Sequence, residues 1–150
     1  MGEGAVSAEM IRTWIAKRHM PTRSTMPDAV MFIELRDGTG QYANGQQIDV
    51  FVLHTWPSRK FHRVAYEIKI SRSDFVRELA HPNKRAWAME ISNEFWFACP
   101  PKVCEPGELP EGCGLILATA GGLKIIRAAP QRAARELRMD YTSVDFDGET

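Results

Sequence analysis

Three residues in two short segments have the side chains needed for metal-assisted hydrolysis. Glu67 and Lys69 are two residues apart in RVAYEIKI, where apolar residues alternate with others, and Asp49 lies in QQIDVFVL. Residues two apart on a strand point to the same face, and pairing of the two strands would bring Asp49 beside Glu67. Two converging carboxylates repel each other unless a cation lies between them, and Mg²⁺ prefers such hard oxygen ligands.

The expected site therefore has Asp49 and Glu67 as ligands of Mg²⁺ or Mn²⁺, with the backbone carbonyl of Ile68 as a further ligand. The ammonium group of Lys69 would hold and polarise a water molecule and stabilise developing negative charge. These groups are suited to hydrolysing a phosphodiester. An isolated Glu-x-Lys on a strand is more often part of a solvated face, so the neighbouring elements decide between the two interpretations.

Hydrophobic periodicity and capping signals predict those elements. A helix is expected over residues 8–19, strands over 30–36, 47–54 and 63–70, a loop over 37–46, a helix after the cap Ser71 as far as Ala80, a second helical stretch over 82–91, a strand over 94–99, a hairpin of 115–118 with 123–127, and a short helix beyond Gln131. This order predicts an α/β (α+β) fold with a central mixed sheet flanked by helices. We expect one domain over residues 1–150, with its core at about 8–128 and a flexible tail after about 140.

Composition sets further limits on the class of protein. Nineteen basic residues balance nineteen acidic ones, so net charge does not indicate a polyanionic partner. No apolar run is long enough to span a bilayer, and three irregularly spaced cysteines make a disulfide framework improbable. We therefore expect a cytoplasmic protein with no membrane association.

Positive charge is nevertheless concentrated locally. Between Pro57 and Arg72 five basic residues accompany a single acid. Beside a phosphodiester-cleaving centre, such a run is a candidate for binding the DNA backbone, although a basic run is usually a solvated face. The residues predicted to bind DNA are Arg72, Lys84, Arg63 and Lys60.

Longer stretches around these residues resemble a known family. The segments FIELRDGTGQYA, QQIDVFVL, YEIKISRSDFVREL, NEFWFACPP and LPEGCGLIL are similar to the MmcB-like DNA-repair branch of the PD-(D/E)xK nuclease superfamily, a branch also found in phages. These segments are distributed within residues 8–128. The resemblance implies a restriction-endonuclease-like core and metal-dependent DNA cleavage. The resemblance also implies that Asp49 and Glu67 are metal ligands and that Lys69 is the catalytic lysine.

Two positions qualify this resemblance. Ile48 stands where the superfamily motif has proline, a position that varies in substituted forms of the motif. Many relatives have a further acid upstream, and here Glu34 or Glu9 would take that place. We favour Glu34 as a fourth catalytic residue because it precedes the expected loop, although it could equally pair with Arg36 as a surface carboxylate.

The leading hypothesis is a DNA nuclease that uses one or two Mg²⁺ or Mn²⁺ ions, in DNA repair or phage DNA processing. A homodimer would suit this activity, since two copies of one site can cut both strands of a duplex. The main alternative is a nucleic-acid-binding module that keeps the fold without useful catalysis. A third hypothesis is a metal-dependent enzyme that acts on a smaller substrate, or a subunit that provides this site within a larger complex.

Overall fold

Six strands form one mixed sheet in a computed structural model of the chain, which describes residues 5–20, 28–37 and 46–135. The strands are β1 (Ala29–Arg36), β2 (Gln47–His54), β3 (Arg63–Ile68), β4 (Glu94–Cys99), β5 (Cys113–Thr119) and β6 (Gly122–Arg127), and their spatial order is their sequence order. Strands β3, β4 and β5 are mutually parallel, whereas β1–β2, β2–β3 and β5–β6 are antiparallel pairs. The predicted class, a mixed sheet flanked by helices, is confirmed.

Helix α1 (Ala8–His19) covers one face of the sheet. Its N-cap is Ser7, whose hydroxyl accepts a hydrogen bond from the backbone N–H of Met10 at 3.1 Å. Ile11 and Ile15, one helical turn apart, are fully buried in a cluster that includes Tyr66 of β3. The helix predicted over residues 8–19 is confirmed.

The opposite face is covered by α2 (Arg72–Leu79) and α3 (Ala86–Ile91), joined by a 3-10 helix over Pro82–Arg85. Ser71 caps α2 by accepting a hydrogen bond from the N–H of Asp74 at 3.2 Å. Phe75 of α2 packs edge-to-face on Phe97 of β4, with ring centroids 5.5 Å apart. Because only three residues separate α2 from the end of β3, this packing fixes α2 above the carboxyl end of β3.

Several boundaries differ from the sequence prediction. Strand β3 ends at Ile68 rather than at residue 70, although the N–H of Lys69 still donates to the carbonyl of Ala98 at 3.1 Å. Residues 38–45 of the predicted loop, and the tail after 140, lie outside the described residues. Within the described parts of the chain, no helix is long and apolar enough to cross a bilayer.

The helix predicted beyond Gln131 is wrong for residues 131–135, which have no regular secondary structure. Their backbone groups have other partners: the N–H of Arg132 donates to the carbonyl of Asn93 at 3.1 Å, and that of Arg135 to Glu90 at 2.9 Å. These bonds tie the segment to residues that are far away in sequence. Tertiary contacts with the end of α3 and the start of β4 therefore outweigh the local helical tendency.

Candidate active site

Pairing of β2 with β3 brings the two predicted ligands together. Val50 lies opposite Tyr66 in this antiparallel pair, so the next step of the register places Asp49 opposite Glu67. The Oδ2 atom of Asp49 accepts a hydrogen bond from the backbone N–H of Ile68 at 2.8 Å. This bond fixes Asp49 at the end of β3, and the predicted pairing of the two strands is confirmed.

Lys69 lies between two carboxylates. Its Nζ atom is 3.2 Å from Oε1 of Glu67 and 3.0 Å from Oε1 of Glu78 on α2. The side chains of all three residues are largely buried, at 16%, 15% and 6% exposure respectively. The structure therefore assembles the predicted residues and adds Glu78, which the sequence analysis did not identify.

Glu78 is itself held by a buried arginine. Its Oε2 atom accepts a hydrogen bond from Nη1 of Arg85 at 2.8 Å, and the same nitrogen donates to the backbone carbonyl of Glu78 at 3.1 Å. The Arg85 guanidinium also lies over the ring of Phe97, 5.7 Å from its centroid. Buried charges need such partners because removal from water is costly.

A signal for Glu78 was present in the sequence. Glu78 follows Phe75 by three residues, and residues three apart lie on the same side of a helix. Phe75 is an obvious core residue, so the spacing puts Glu78 on the buried face of α2. The spacing does not predict that this face of α2 lies over Lys69.

Burial and mutual repulsion act on the two carboxylates. Burial, with the nearby charge of Asp49, raises the pKa of Glu67 from its ordinary 4.5 to about 8. Burial also raises the pKa of Asp49, although the hydrogen bond from Ile68 opposes this. For Lys69, burial lowers the pKa, but the carboxylates of Glu67 and Glu78 outweigh it and the net shift is upward. Ionised carboxylates at Asp49 and Glu67 therefore require additional positive charge.

The charge balance of the cluster leads to the same requirement. When all are ionised, the three carboxylates Asp49, Glu67 and Glu78 face two cations, Lys69 and Arg85. One negative charge remains uncompensated in a largely buried place. A bound divalent cation would supply the missing positive charge.

The residues present fit an open site for a hard cation. Among residues 5–20, 28–37 and 46–135, no group of three His, Cys, Asp or Glu side chains is arranged to hold a metal. The protein would therefore provide Asp49 and Glu67, and water or substrate oxygens would complete the shell. Mg²⁺ is commonly bound in this way, through one or two carboxylates plus waters and phosphates. The N–H of Ile68 donates to Asp49, while a ligand role for its carbonyl remains a prediction.

The structure separates the two candidates for the third acid. Glu9 lies on α1, which packs on the face of the sheet opposite to α2. Glu34 lies on β1 between the pairs Ile33–Val50 and Leu35–Ile48, and thus beside Asp49. Its side chain is exposed, and its φ of 55° is the left-handed conformation that residues other than glycine seldom adopt. Glu34 is therefore the better placed of the two.

Two of the residues predicted to bind DNA lie away from the site. Lys60 and Arg63 are at the hairpin that joins β2 to β3, whereas Asp49 and Glu67 are at the other end of these strands. The four residues from Arg63 to Glu67 correspond to roughly 13 Å along a strand. Arg63 is only 9% exposed, and its Nη2 atom donates to the carbonyl of Arg135 at 2.8 Å. The basic stretch therefore does not form a continuous rim around the site.

The other two lie on the α2 side of the sheet. Arg72, in the first turn of α2, makes a two-pronged ion pair with Glu108 and donates to the carbonyl of Val103 at 3.1 Å. Lys84 is exposed in the 3-10 helix next to the buried Arg85. Lys84 is thus available to a ligand, whereas Arg72 would have to exchange Glu108 for it.

Comparison with known proteins supports the fold alone. No family model matches the chain, and no curated protein matches its sequence. The structure is similar to that of a protein of unknown function from Silicibacter pomeroyi, with 25% sequence identity and a TM-score of 0.55. The similarity covers 83% of this chain and 73% of the other. Since that protein has no assigned function, the chemistry of this chain has to be inferred from its own residues.

Proposed function

We propose that this chain is a metal-dependent nuclease that hydrolyses phosphodiester bonds in DNA, with Asp49, Glu67 and Lys69 at its catalytic centre. The observation that carries the proposal is the convergence of two carboxylates at the end of β3 with an ammonium group 3.2 Å from one of them. Burying such a cluster for stability alone would be unfavourable. Its persistence in a largely buried position favours a functional role.

Each residue has a distinct role in the proposed centre. Asp49 and Glu67 would hold Mg²⁺ or Mn²⁺, with Glu34 as a further acid beside them. When bound, such an ion acts as a Lewis acid on a phosphate oxygen and lowers the pKa of a coordinated water. Lys69 orients the attacking water through its N–H groups and stabilises negative charge that develops on the phosphate.

Glu78 and Arg85 would support the lysine without touching the substrate. A lysine side chain is flexible, and fixing it costs conformational entropy. The ion pairs from Glu67 and Glu78 hold the Nζ atom in one place, and Arg85 fixes Glu78 in turn. We therefore regard Glu78 and Arg85 as positioning residues.

DNA as the substrate rests on the chemistry of the centre and on the resemblance to PD-(D/E)xK nucleases. A module that only binds nucleic acid gains nothing from carboxylates facing phosphates, so the buried acids favour catalysis over binding alone. Exposed Lys84, with Arg72 after release from Glu108, would contact the phosphate backbone. A role in DNA repair or phage DNA processing and a cytoplasmic location are part of this proposal, and the three buried free cysteines are compatible with that location.

Cleavage of supercoiled plasmid and branched DNA in Mg²⁺, Mn²⁺ or EDTA tests the proposal. We expect cleavage with either metal and none in EDTA. Asp49→Asn and Lys69→Ala should each abolish cleavage while the protein stays folded. Glu9→Gln, which changes an acid on the opposite face of the sheet, is the matched control and should cleave like the wild type. Cleavage in EDTA, or wild-type rates in both site variants, would exclude this centre.

A further inference from the structure

Strand β1 forms one edge of the sheet and presents apolar side chains there. Val30, Phe32 and Ile33 are 43%, 41% and 45% exposed. No strand among the described residues pairs with the outer side of β1. The outward backbone groups of β1 are thus available within this sheet, and an exposed apolar edge of this kind readily pairs with another strand.

The opposite edge of the sheet differs in charge. Strand β6 also exposes Ile125 and Ile126, but Lys124 precedes them and Arg127 follows them. Charged side chains, especially lysine, discourage pairing at a sheet edge. Residues 29–33 of β1, with the sequence AVMFI, carry no charge. Of the two edges, β1 is therefore the one suited to a partner.

We propose that β1 pairs in antiparallel orientation with β1 of a second copy of this chain, about a twofold axis at Phe32. In this register Phe32 lies opposite its own copy, and Met31 lies opposite Ile33. Met31, Phe32 and Ile33 at the centre of the pair then meet only apolar residues, and Val30 lies opposite Glu34. Such an arrangement is closed, because the same surface is used by both copies.

Charges at the two ends of the strand favour this partner over an unrelated strand. In the proposed register, Asp28 of each copy lies opposite Arg36 of the other, and opposite charges across paired strands are stabilising. Asp28 has a loose ion pair within its own chain, 3.7 Å from the exposed side chain of Arg59. An antiparallel copy is the partner that provides this complementarity at both ends at once.

The pairing would also bring two candidate sites together. Asp49 lies on β2, the neighbour of β1. Phe32 pairs with Phe51 of β2, and Asp49 is two residues from Phe51 along that strand. Standard strand spacings then put the two Asp49 Cα atoms roughly 20 Å apart, on the same face of a continuous sheet. Two sites so placed could cut both strands of one duplex, a consequence that rests on the proposed function. The pairing itself does not depend on it.

Measurement of molar mass for the full chain by light scattering, at concentrations of about 1 to 200 µM, tests the pairing. The wild type should change from monomer to dimer over this range, because a single strand pair buries a modest area. Ile33→Lys, which places a charge opposite Met31 of the second copy, should weaken dimerisation at least tenfold, and Ile125→Lys on β6, the matched control, should leave it unchanged. A wild type that is monomeric throughout would overturn the proposal, as would disruption by Ile125→Lys alone.

Cysteine cross-linking fixes the register and does not depend on the lysine variants folding. Phe32→Cys should form an intermolecular disulfide on mild oxidation by oxidised glutathione, because residues paired across a strand lie within disulfide distance. Val30→Cys lies four residues from its own copy, roughly 13 Å away, and should not cross-link. The native cysteines are buried and do not compete. Equal cross-linking by both variants, or none by Phe32→Cys, would contradict this register. A chain that cleaves DNA as a monomer would overturn the pairing and leave the proposed function intact.

Discussion

At the scale of single residues, the most informative contact is the ion pair between Glu78 and Lys69. A lysine that must orient a water molecule needs to be held, and Glu78 holds it at 3.0 Å. Glu78 is itself 7% exposed and bound to Arg85. If the centre is catalytic, these two residues should affect its rate without contacting DNA.

We expect Glu78→Gln to lower the cleavage rate about 10- to 100-fold, as is usual for residues that orient active-site groups. The KM for DNA should stay unchanged, because Glu78 does not face the substrate. Single-turnover cleavage and DNA-binding assays would separate these effects. Glu90→Gln, at an exposed acid on α3 that pairs with Arg135, is the control.

Loss of stability is the competing explanation for that variant, because Glu78→Gln leaves Arg85 buried without its carboxylate. The double variant Glu78→Gln with Arg85→Met removes the unpaired charge and should recover thermal stability. It should remain as slow as Glu78→Gln alone. Recovery of cleavage together with stability would show that Glu78 has only a structural role.

Glu67→Gln should stabilise the metal-free protein at alkaline pH. The pKa of Glu67 in the folded protein, about 8, lies above its ordinary 4.5. Its stabilising contribution is therefore complete below pH 4.5 and is lost as pH rises through 8. Glutamine stays neutral, so at pH 8.5 in EDTA the variant should unfold at a higher temperature, by at least about 1 kcal/mol or roughly 2–4 °C.

Thermal unfolding at pH 4.5 and pH 8.5 would check this expectation. The two proteins should differ little at the lower pH, where Glu67 is protonated in the folded protein and about half protonated in the unfolded chain. Mn²⁺ should raise the unfolding temperature of the wild type at pH 8.5 and leave that of Glu67→Gln nearly unchanged. A variant less stable than the wild type at pH 8.5 would mean that the ionised carboxylate of Glu67 is stabilised by the protein without a bound cation.

Part of this site could be predicted from the sequence. Alternation along β3 places Glu67 and Lys69 on one face, and the antiparallel neighbour β2 brings Asp49 to them. Glu78 and Arg85 could not be placed in the same way. Their contact with Lys69 depends on how α2 docks on the sheet, and that docking is set by packing between residues far apart in sequence.

At the scale of secondary-structure elements, α1 is anchored by a partly buried histidine. Nε2 of His19 lies 2.6 Å from the hydroxyl of Tyr66, and its ring centroid is 5.4 Å from that of His54. Burial lowers the pKa of His19 from 6.5 to about 4. Other charged or titratable groups that act on it are Arg18, His54 and His62, which lower its pKa further, and Glu94, which raises it.

Acidification should therefore loosen α1. A folded-state pKa below the ordinary value gives stability that is present above pH 6.5 and is lost as pH falls towards and through 4. We expect the loss to be about 1–3 kcal/mol. His19→Gln should unfold with a shallower pH dependence between 6.5 and 4. Hydrogen exchange should show the first loss of protection in residues 8–19, and an equally steep dependence in His19→Gln would contradict this assignment.

The 3-10 helix before α3 offers an exposed cation, Lys84, for contact with DNA. Lys84→Ala should weaken binding to all DNA sequences alike and reduce the slope of log affinity against log salt by about one unit. Lys60→Ala, at the distant hairpin, is the matched control and should have a smaller effect. Fluorescence anisotropy in Ca²⁺ across a salt series would measure both, and equal effects would show that DNA does not distinguish the two ends of the sheet.

Glu108 should compete with DNA for Arg72. Because Glu108 occupies the guanidinium of Arg72, Glu108→Gln should release it and tighten DNA binding severalfold. Arg72→Ala should then weaken binding less in the wild type than in the Glu108→Gln background. The same anisotropy assay, as a double-variant cycle, would measure this coupling, and additive effects would place Arg72 outside the DNA contact.

Element boundaries followed from the sequence where a strong local signal marked them. Strands β2 and β4 were predicted to the residue, because alternating or continuous apolar runs end at polar or proline residues. The segment after Gln131 was predicted as helix, but residues 131–135 form no helix, and the N–H groups of Arg132 and Arg135 bond to the carbonyls of Asn93 and Glu90. Such long-range partners leave no local pattern in the sequence.

At the scale of the whole molecule, the two faces of the sheet differ in the side chains that they carry. Its α1 face is closed by a buried apolar cluster, whereas its α2 face has a cluster of charged residues where β2 begins and β3 ends. The likeness to a protein of Silicibacter pomeroyi supports this fold. The restriction-endonuclease-like assignment and the single-domain organisation over residues 1–150 remain predictions. What distinguishes a nuclease from a passive member of the same fold is whether the charged cluster binds a cation.

Calorimetric titration of the metal-free protein with Mn²⁺ tests that requirement most directly. We expect Mn²⁺ binding at the site made by Asp49 and Glu67, weakened at least about tenfold, or about 1.4 kcal/mol, by Asp49→Asn. Glu9→Gln, on the other face of the sheet, should bind as the wild type does. Absence of Mn²⁺ binding by the wild type, or identical isotherms for the wild type and Asp49→Asn, would contradict the assignment of Asp49 and Glu67 as a metal centre.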